Sequence, residues 1–274
     1  MLRPLPDELL SSWLNRHAGF YGVTGGRLLR HCCLEAASLR DLDLKLTLPD
    51  QRRLACVFRY DPRAIRKMTQ SRGQGHATGL IATVRPMQVC RRCMSRHRME
   101  TVTRGAQLRS WMEGWRIRCP ICGTPMEDAR PLNLLMRADP AHPFLKRVAA
   151  RAQQGELMMT RAIRMGEPNI PLVSLMRCLL LPRARRSWKA WLAGEVPRLL
   201  DAVVPSFDRF VHQSNPGFRQ PGTLLLPVSI RIPVLAGIAQ VTNRPAHWAE
   251  RLLGAVAATA RPRLAECIRR LMAA

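Results

Sequence analysis

The sequence predicts a mainly α-helical protein: helical bundle domains carrying helix-turn-helix units, with a small zinc-ribbon-like module inserted between them. Three observations predict it. Apolar residues recur at helical spacing in segment after segment, as at Leu9, Leu10, Trp13, Leu14 and Ala18. Two Cys-x-x-Cys pairs, Cys90/Cys93 and Cys119/Cys122, stand with twenty-five residues between them. The chain also carries 44 Lys and Arg against 19 Asp and Glu, for a net charge of +25.

Taken in order, the first helix is expected over Asp7 to His17 with Asp7 as N-cap, and Gly22 and Gly25-Gly26 break its pattern. A second helix is expected from Arg27 to Ser38. The alternation Leu42, Leu44, Leu46, Leu48 is short and ends at Pro49, which reads as an extended connector. Asp50 is then expected to cap a helix through Arg59, and Pro62 to open another over Arg63 to Gln70. Together these two make a helix-turn-helix candidate. Ala55 is its small interhelical residue, and Val57, Phe58 and Ile65 are its apolar contacts. The second helix of such a unit lies in the major groove, so Arg63, Arg66, Lys67 and Thr69 are the candidate DNA-binding residues. Arg59 departs from the pattern, because a glycine usually occupies that turn position.

The glycine-rich loop Ser71 to Gly79 lacks the Lys-Ser/Thr of a nucleotide-binding P-loop. After it come the cysteines. Two knuckles direct four thiolates at one point, the donor set of a structural, closed zinc site, and Cys90, Cys93, Cys119 and Cys122 are the expected ligands of one Zn2+. Trp115 to Arg118 reads as the strand that returns the chain to the second knuckle. His97 is a substitute ligand that a complete set of four cysteines does not need. The remaining five of the nine cysteines, Cys32, Cys33, Cys56, Cys178 and Cys267, fall in helical apolar patterns and are expected to fill core space. The expected organisation is a helical domain over 1–70, the glycine loop and zinc module over 71–130, a proline-punctuated linker over 131–150, and a helical domain over 151–274. In that last domain Arg183, Arg185, Arg186 and Lys189 cluster beside Trp188 and Trp191. Pro233 to Leu253 there forms a second helix-turn-helix candidate, capped at Thr242 or Asn243.

Charge and missing motifs bound the function. Residues 1–50 hold six basic and six acidic side chains, whereas residues 51–150 hold twenty and six, and residues 151–274 eighteen and seven. A neutral amino-terminal end on a strongly basic body fits a protein-docking segment on a nucleic-acid binder. There is no Walker A sequence, no Gly-x-Ser-x-Gly and no His-Glu-x-x-His, so no enzyme is expected. The longest apolar stretch, Leu172 to Leu181, is broken by Ser174 and Arg177, which falls short of a membrane span. The amino terminus is proline-broken and acidic early, unlike a secretory leader, so a cytoplasmic, nucleoid-associated protein is expected.

Three stretches resemble the TniQ family of transposon target-selection proteins. They are Leu5-Pro-Asp-Glu-Leu-Leu-Ser-Ser-Trp-Leu-Asn-Arg16, Leu54-Ala55 through Ile65-Arg-Lys-Met-Thr69, and Cys90-x-x-Cys93 with Trp111, Trp115-Arg116 and Cys119-Pro-x-Cys122-Gly-Thr-Pro-Met126. The resemblance covers about residues 4–130. It implies a non-enzymatic adaptor that recognises a target, on DNA directly or through an RNA-guided complex, and recruits an AAA+ ATPase that licenses the transposase. Pro6, Asp7, Glu8, Ser11, Ser12 and Arg16 are then the candidate partner contacts. Many relatives carry a further Cys-x-x-His knuckle between the two pairs, which this sequence lacks, so one zinc is expected. A zinc-stabilised helix-turn-helix transcriptional regulator, binding an operator as a dimer, is the alternative.

Overall fold

A computed structural model describes residues 2–70, 79–100, 105–129, 139, 141–165, 171–184, 197–214 and 224–273. Most of the expected glycine loop, most of the linker up to residue 140, and Arg185, Arg186, Trp188, Lys189 and Trp191 lie outside the described residues. The chain divides into two compact units, Met1–Ala129 and Arg130–Ala274. Its architecture is mainly helical, as the periodicity predicts.

In the first unit, helices α1 (Leu10–Phe20), α2 (Gly25–His31), α3 (Leu39–Lys45), α4 (Leu48–Val57) and α5 (Pro62–Lys67) enclose a core. Leu10, Trp13, Leu14, Leu28, Leu29, Leu42, Leu54, Phe58 and Ile65 fill it. The Trp13 ring lies 4.9 Å from that of Phe58, and its indole N–H donates to the Leu2 carbonyl (2.9 Å). Four sequence expectations change here, two of them simply: α2 begins at Gly25 and ends at His31, not Ser38, and Thr47, not Asp50, is the N-cap of α4. Asp7 does not cap α1: it sits at φ 61°, and its carboxylate accepts the Ser110 N–H (3.0 Å). The stretch from Leu42 to Leu48 is mostly helical: Leu42 to Lys45 end α3 and Leu48 opens α4, leaving Leu46 and Thr47 between them. Ser38 caps α3 by accepting from Asp41 N–H, and Thr47 caps α4 by accepting from Asp50 N–H. Pro49 stands in the first turn of α4, where its missing N–H costs nothing. These capping hydroxyls override the short alternation, which only mimics a strand.

The same unit contains α6 (Arg91–Met99), a 3-10 turn at Arg109–Met112, and two short strands, β1 (Gln88–Val89) and β2 (Glu127–Asp128). The strands pair antiparallel, with Gln88 opposite Asp128 and Val89 opposite Glu127. The expected division at residue 70 is crossed by backbone hydrogen bonds. Leu9 N–H donates to Gln107 (3.0 Å) and Arg109 N–H to Asp7 (2.7 Å). Arg40 donates to the carbonyls of Thr83 and Ala82, each at 2.8 Å. The helices and the cysteine module therefore fold as one body.

The second unit comprises α7 (Pro143–Met165), α8 (Leu172–Leu179), α9 (Leu199–Val203), α10 (Phe207–Ser214), α11 (Val228–Asn243), α12 (Pro245–Ala255) and α13 (Arg261–Ala273). Its centre is α11, which is apolar nearly all round and buried along most of its length. Gly155 of α7 lets the two long helices meet backbone to backbone, because a Cβ there would stand 2.0 Å from the Leu235 carbonyl oxygen. Pro233, expected to open the second helix-turn-helix, lies inside α11. The turn falls at Arg244, which takes the N-cap position of α12 in place of Thr242 or Asn243.

Candidate functional site

The two knuckles converge. Cys90 caps α6, its sulfur 3.5 Å from the Cys93 N–H. The second knuckle closes as a tight hairpin. Cys119 N–H donates to Thr124 O (2.9 Å), Gly123 N–H donates to Cys119 O (2.9 Å), and Gly123 takes φ 72°, which a side chain disfavours. The expected Trp115 to Arg118 strand is limited to its end: Ile117 O accepts from Met126 N–H (2.9 Å), and Arg118 forms an isolated bridge with Pro125. The four sulfurs lie within 4.8 Å of one another. Cys90 Sγ is 3.4 Å from Cys122 Sγ, and Cys93 Sγ is 3.6 Å from Cys119 Sγ and 3.8 Å from Cys122 Sγ. A tetrahedron with zinc–sulfur bonds of about 2.3 Å has edges of about 3.8 Å, so the donor set fits such an ion. His97 is buried against Trp111 and is not one of the clustered ligands.

Electrostatics point the same way. Burial, then hydrogen bonding with Cys119, pushes the Cys93 thiol far up, and burial pushes Cys119 up to about 11. At Cys122 burial opposes the thiolate, but hydrogen bonds from the Thr124 hydroxyl and N–H, joined by those with Cys90 and Cys119, outweigh it and bring the thiol down to about 6. Four crowded sulfurs cannot all ionise without a cation among them, and a dication reverses that balance. Thr124, whose hydroxyl lies 3.0 Å from Cys90 Sγ and 3.1 Å from Cys122 Sγ, is a residue that motif reading overlooks. Its signal was its place in the Cys122-Gly-Thr-Pro-Met126 stretch of the resemblance, where it was given no role. Of the other cysteines, Cys32, Cys178 and Cys267 are buried as expected, but Cys33 and Cys56 are exposed.

The helix-turn-helix candidate forms from α4 and α5. Arg59, where glycine was the usual residue, adopts φ 42° at the end of α4. Tyr60 N–H reaches Ala55 O (3.1 Å) and Arg59 N–H reaches Cys56 O (3.3 Å), the pairing of a Schellman cap. Arg59 thus takes the glycine's conformation at a cost of about 1 kcal/mol. Asp61 caps α5, and the Gln51 side-chain amide donates to Pro62 O (2.7 Å), fixing one helix on the other. Arg63, Arg66 and Lys67 are exposed together with Arg52 and Arg59, which sequence reading did not assign to this surface. Thr69 does not join them: it is 2% exposed, and its hydroxyl donates to Arg66 O (2.8 Å).

The six amino-terminal candidates split. Pro6 is exposed, and Asp7 and Ser11 are half-buried. Glu8 and Arg16 are 1% and 7% exposed and pair with each other, Arg16 Nε to Glu8 Oε1 at 2.8 Å and Nη2 to Oε2 at 2.7 Å. Ser12 is also buried and donates to Glu8 (2.9 Å) while accepting the Gln107 N–H (2.8 Å). Ser11 binds the buried Asp43 carboxylate through its N–H (2.9 Å) and its hydroxyl. Glu8, Ser12 and Arg16 therefore face inward, a placement that differs from the expected docking surface. Polar signature residues look exposed in sequence, because their partners lie on distant segments.

Fold and site together define a helical protein built around a four-cysteine, zinc-ribbon-like module. The TniQ family model matches residues 1–142, spanning the helix-turn-helix candidate and both knuckles. The chain belongs to the TniQ family, which is associated with transposition and target selection. No curated protein and no solved structure matches it. Among the described residues, no helix is long and apolar enough to cross a membrane.

Proposed function

We propose that this chain is a zinc-stabilised adaptor that holds target DNA for a transposition AAA+ ATPase and, through it, the transposase. Family membership carries the reading, and the charge map supports it: a neutral first fifty residues precede a body that is basic throughout. Cys90, Cys93, Cys119 and Cys122 hold one structural Zn2+, leaving no open position for catalysis. Arg63, Arg66 and Lys67 of α5 contact DNA, and Thr69 shapes the helix end behind them. The amino-terminal segment docks the ATPase through its exposed residues, Pro6 foremost, while Glu8, Ser12 and Arg16 set its conformation. The protein works at the nucleoid, in the cytoplasm. The family match is what favours this reading over a dimeric transcriptional regulator.

The test is retention of the purified ATPase on bead-bound duplex DNA. Retention that requires this protein, and that weakens in the Arg63→Ala/Arg66→Ala/Lys67→Ala variant, supports the adaptor. Retention only when an RNA-guided complex is added assigns target reading to that complex. ATPase held equally with and without the protein contradicts the proposal.

A further inference from the structure

We propose that the solvent face of α7 is a second duplex-DNA contact, a sequence-independent phosphate anchor on the carboxy-terminal unit. The inference rests on the DNA-adaptor reading above but concerns a unit that lies almost wholly outside the family match.

Helix α7 has twenty-three residues, a rod of roughly 34 Å, about one turn of B-DNA. Lys146, Arg147, Arg151, Gln154, Leu157, Arg161 and Arg164 are all exposed. At about 100° per residue they fall on one arc of roughly 140°. Five of these seven are cations. The sole acid of the helix, Glu156, is 5% exposed on the opposite side. Asp139, the nearest acid before the helix, accepts the Ala141 N–H (2.8 Å) ahead of its first turn. Arg147 is anchored, donating to Pro205 O (2.8 Å) with its guanidinium 5.4 Å over the Phe144 ring. Lys146, Arg151 and Arg161 form no ion pair with a described carboxylate and are free to meet phosphate.

The composition of the arc selects the partner. A protein interface would place an apolar or aromatic cluster at its centre, but this arc has one exposed large apolar side chain, Leu157, with the half-buried Met158 toward its edge. Single-stranded nucleic acid is held by stacking on aromatic rings, and the arc has none. Gln154 is its only amide, and its arginines and lysine can meet guanine edges as well as phosphates, two roles that a comparison of unrelated duplexes tells apart. A band of cations along one helix matches a duplex backbone, where such contacts position the protein without specifying sequence.

The test titrates the full chain onto two unrelated duplexes from about 50 to 200 mM salt, comparing wild type, Lys146→Ala/Arg151→Ala/Arg161→Ala and Arg63→Ala/Arg66→Ala/Lys67→Ala. Losing three phosphate contacts should flatten the plot of log affinity against log salt by about 2.7. The wild-type advantage then grows roughly sixfold for each halving of salt, equally on both sequences. An Arg151→Lys/Arg161→Lys variant should keep the wild-type slope, which separates charge from folding. If the α5 variant weakens binding and the α7 variant matches wild type, the anchor is refuted and the adaptor stands. If the α7 variant loses only RNA binding, the anchor is refuted in favour of RNA. If wild type ignores duplexes altogether, both readings fail.

Discussion

Replacing Glu8 with alanine should destabilise the amino-terminal unit severely, by about 3–5 kcal/mol, because it breaks a buried ion pair and leaves one charge behind. The Glu8 carboxylate accepts from Arg16 Nε and Nη2 (2.8 and 2.7 Å), Ser12 Oγ (2.9 Å) and its own loop's Leu5 N–H (2.9 Å). Both side chains of the pair are almost wholly enclosed, at 0% and 4% exposure, so solvent cannot take over these roles. Alanine removes all four acceptor contacts, and Arg16 loses its Glu8 carboxylate while keeping its bond to Arg3 O (3.0 Å). Against a typical domain stability of about 5–15 kcal/mol, that is about a fifth of the total at the least. Urea unfolding followed by tryptophan emission reads the change, since Trp13 lies at the core of the same unit. The cycle Glu8→Ala, Arg16→Ala and the double variant should show the double losing less than the sum of the singles. Singles within about 0.5 kcal/mol of wild type, or strict additivity, would refute the buried pair. It also follows that lost ATPase recruitment in either single variant reports a damaged fold and not a missing contact.

Gly155→Ala should cost the second unit at least about 2 kcal/mol, since the new Cβ meets Leu235 backbone that cannot yield; a rise in melting temperature, as helix propensity alone would give, would count against the close approach. Burial depresses His17, wedged 4.9 Å from Trp13 and 4.7 Å from Phe58. The unfolded chain therefore binds a proton that the folded one refuses, and stability should fall as pH drops through about 6.5 toward the lower folded value, by up to about 1.4 kcal/mol per pH unit. Burial lowers His97 as well, adding in the same direction; His17→Phe should flatten the decline measured in urea at pH 7 and pH 5.5, and an unchanged slope would clear His17. Thr69→Val should lower stability by about 1 kcal/mol and leave the salt dependence of DNA binding untouched, whereas Arg66→Ala should reduce that slope by about 0.9.

What could be read in advance was whatever local chemistry decides. Four cysteines at knuckle spacing need only a turn each to converge, and Pro62 behind Asp61 starts a helix in almost any context. The turn at Arg59 was recognisable despite its residue, since the Schellman bonds come from backbone groups that any side chain permits. Less legible was everything set by distant partners. Glu8, Ser12 and Arg16 look like a polar face on a helical wheel. Only the Gln107 N–H and the folded-back start of the chain turn them inward. Asp7 passes for an N-cap until Arg109 and Ser110 claim it from a hundred residues away. The α3 helix was missed because its N-cap, Ser38, was read as the end of the preceding helix and its leucines as a short alternation.

The measurement that bears most directly on the account is metal content of the purified, folded chain by elemental analysis, alongside its Cys119→Ser variant. One equivalent of zinc per chain is expected, with little or none in the variant and loss of the cysteine module's fold when a chelator removes the metal. A wild-type chain that is folded, free of metal and unaffected by chelator would contradict it.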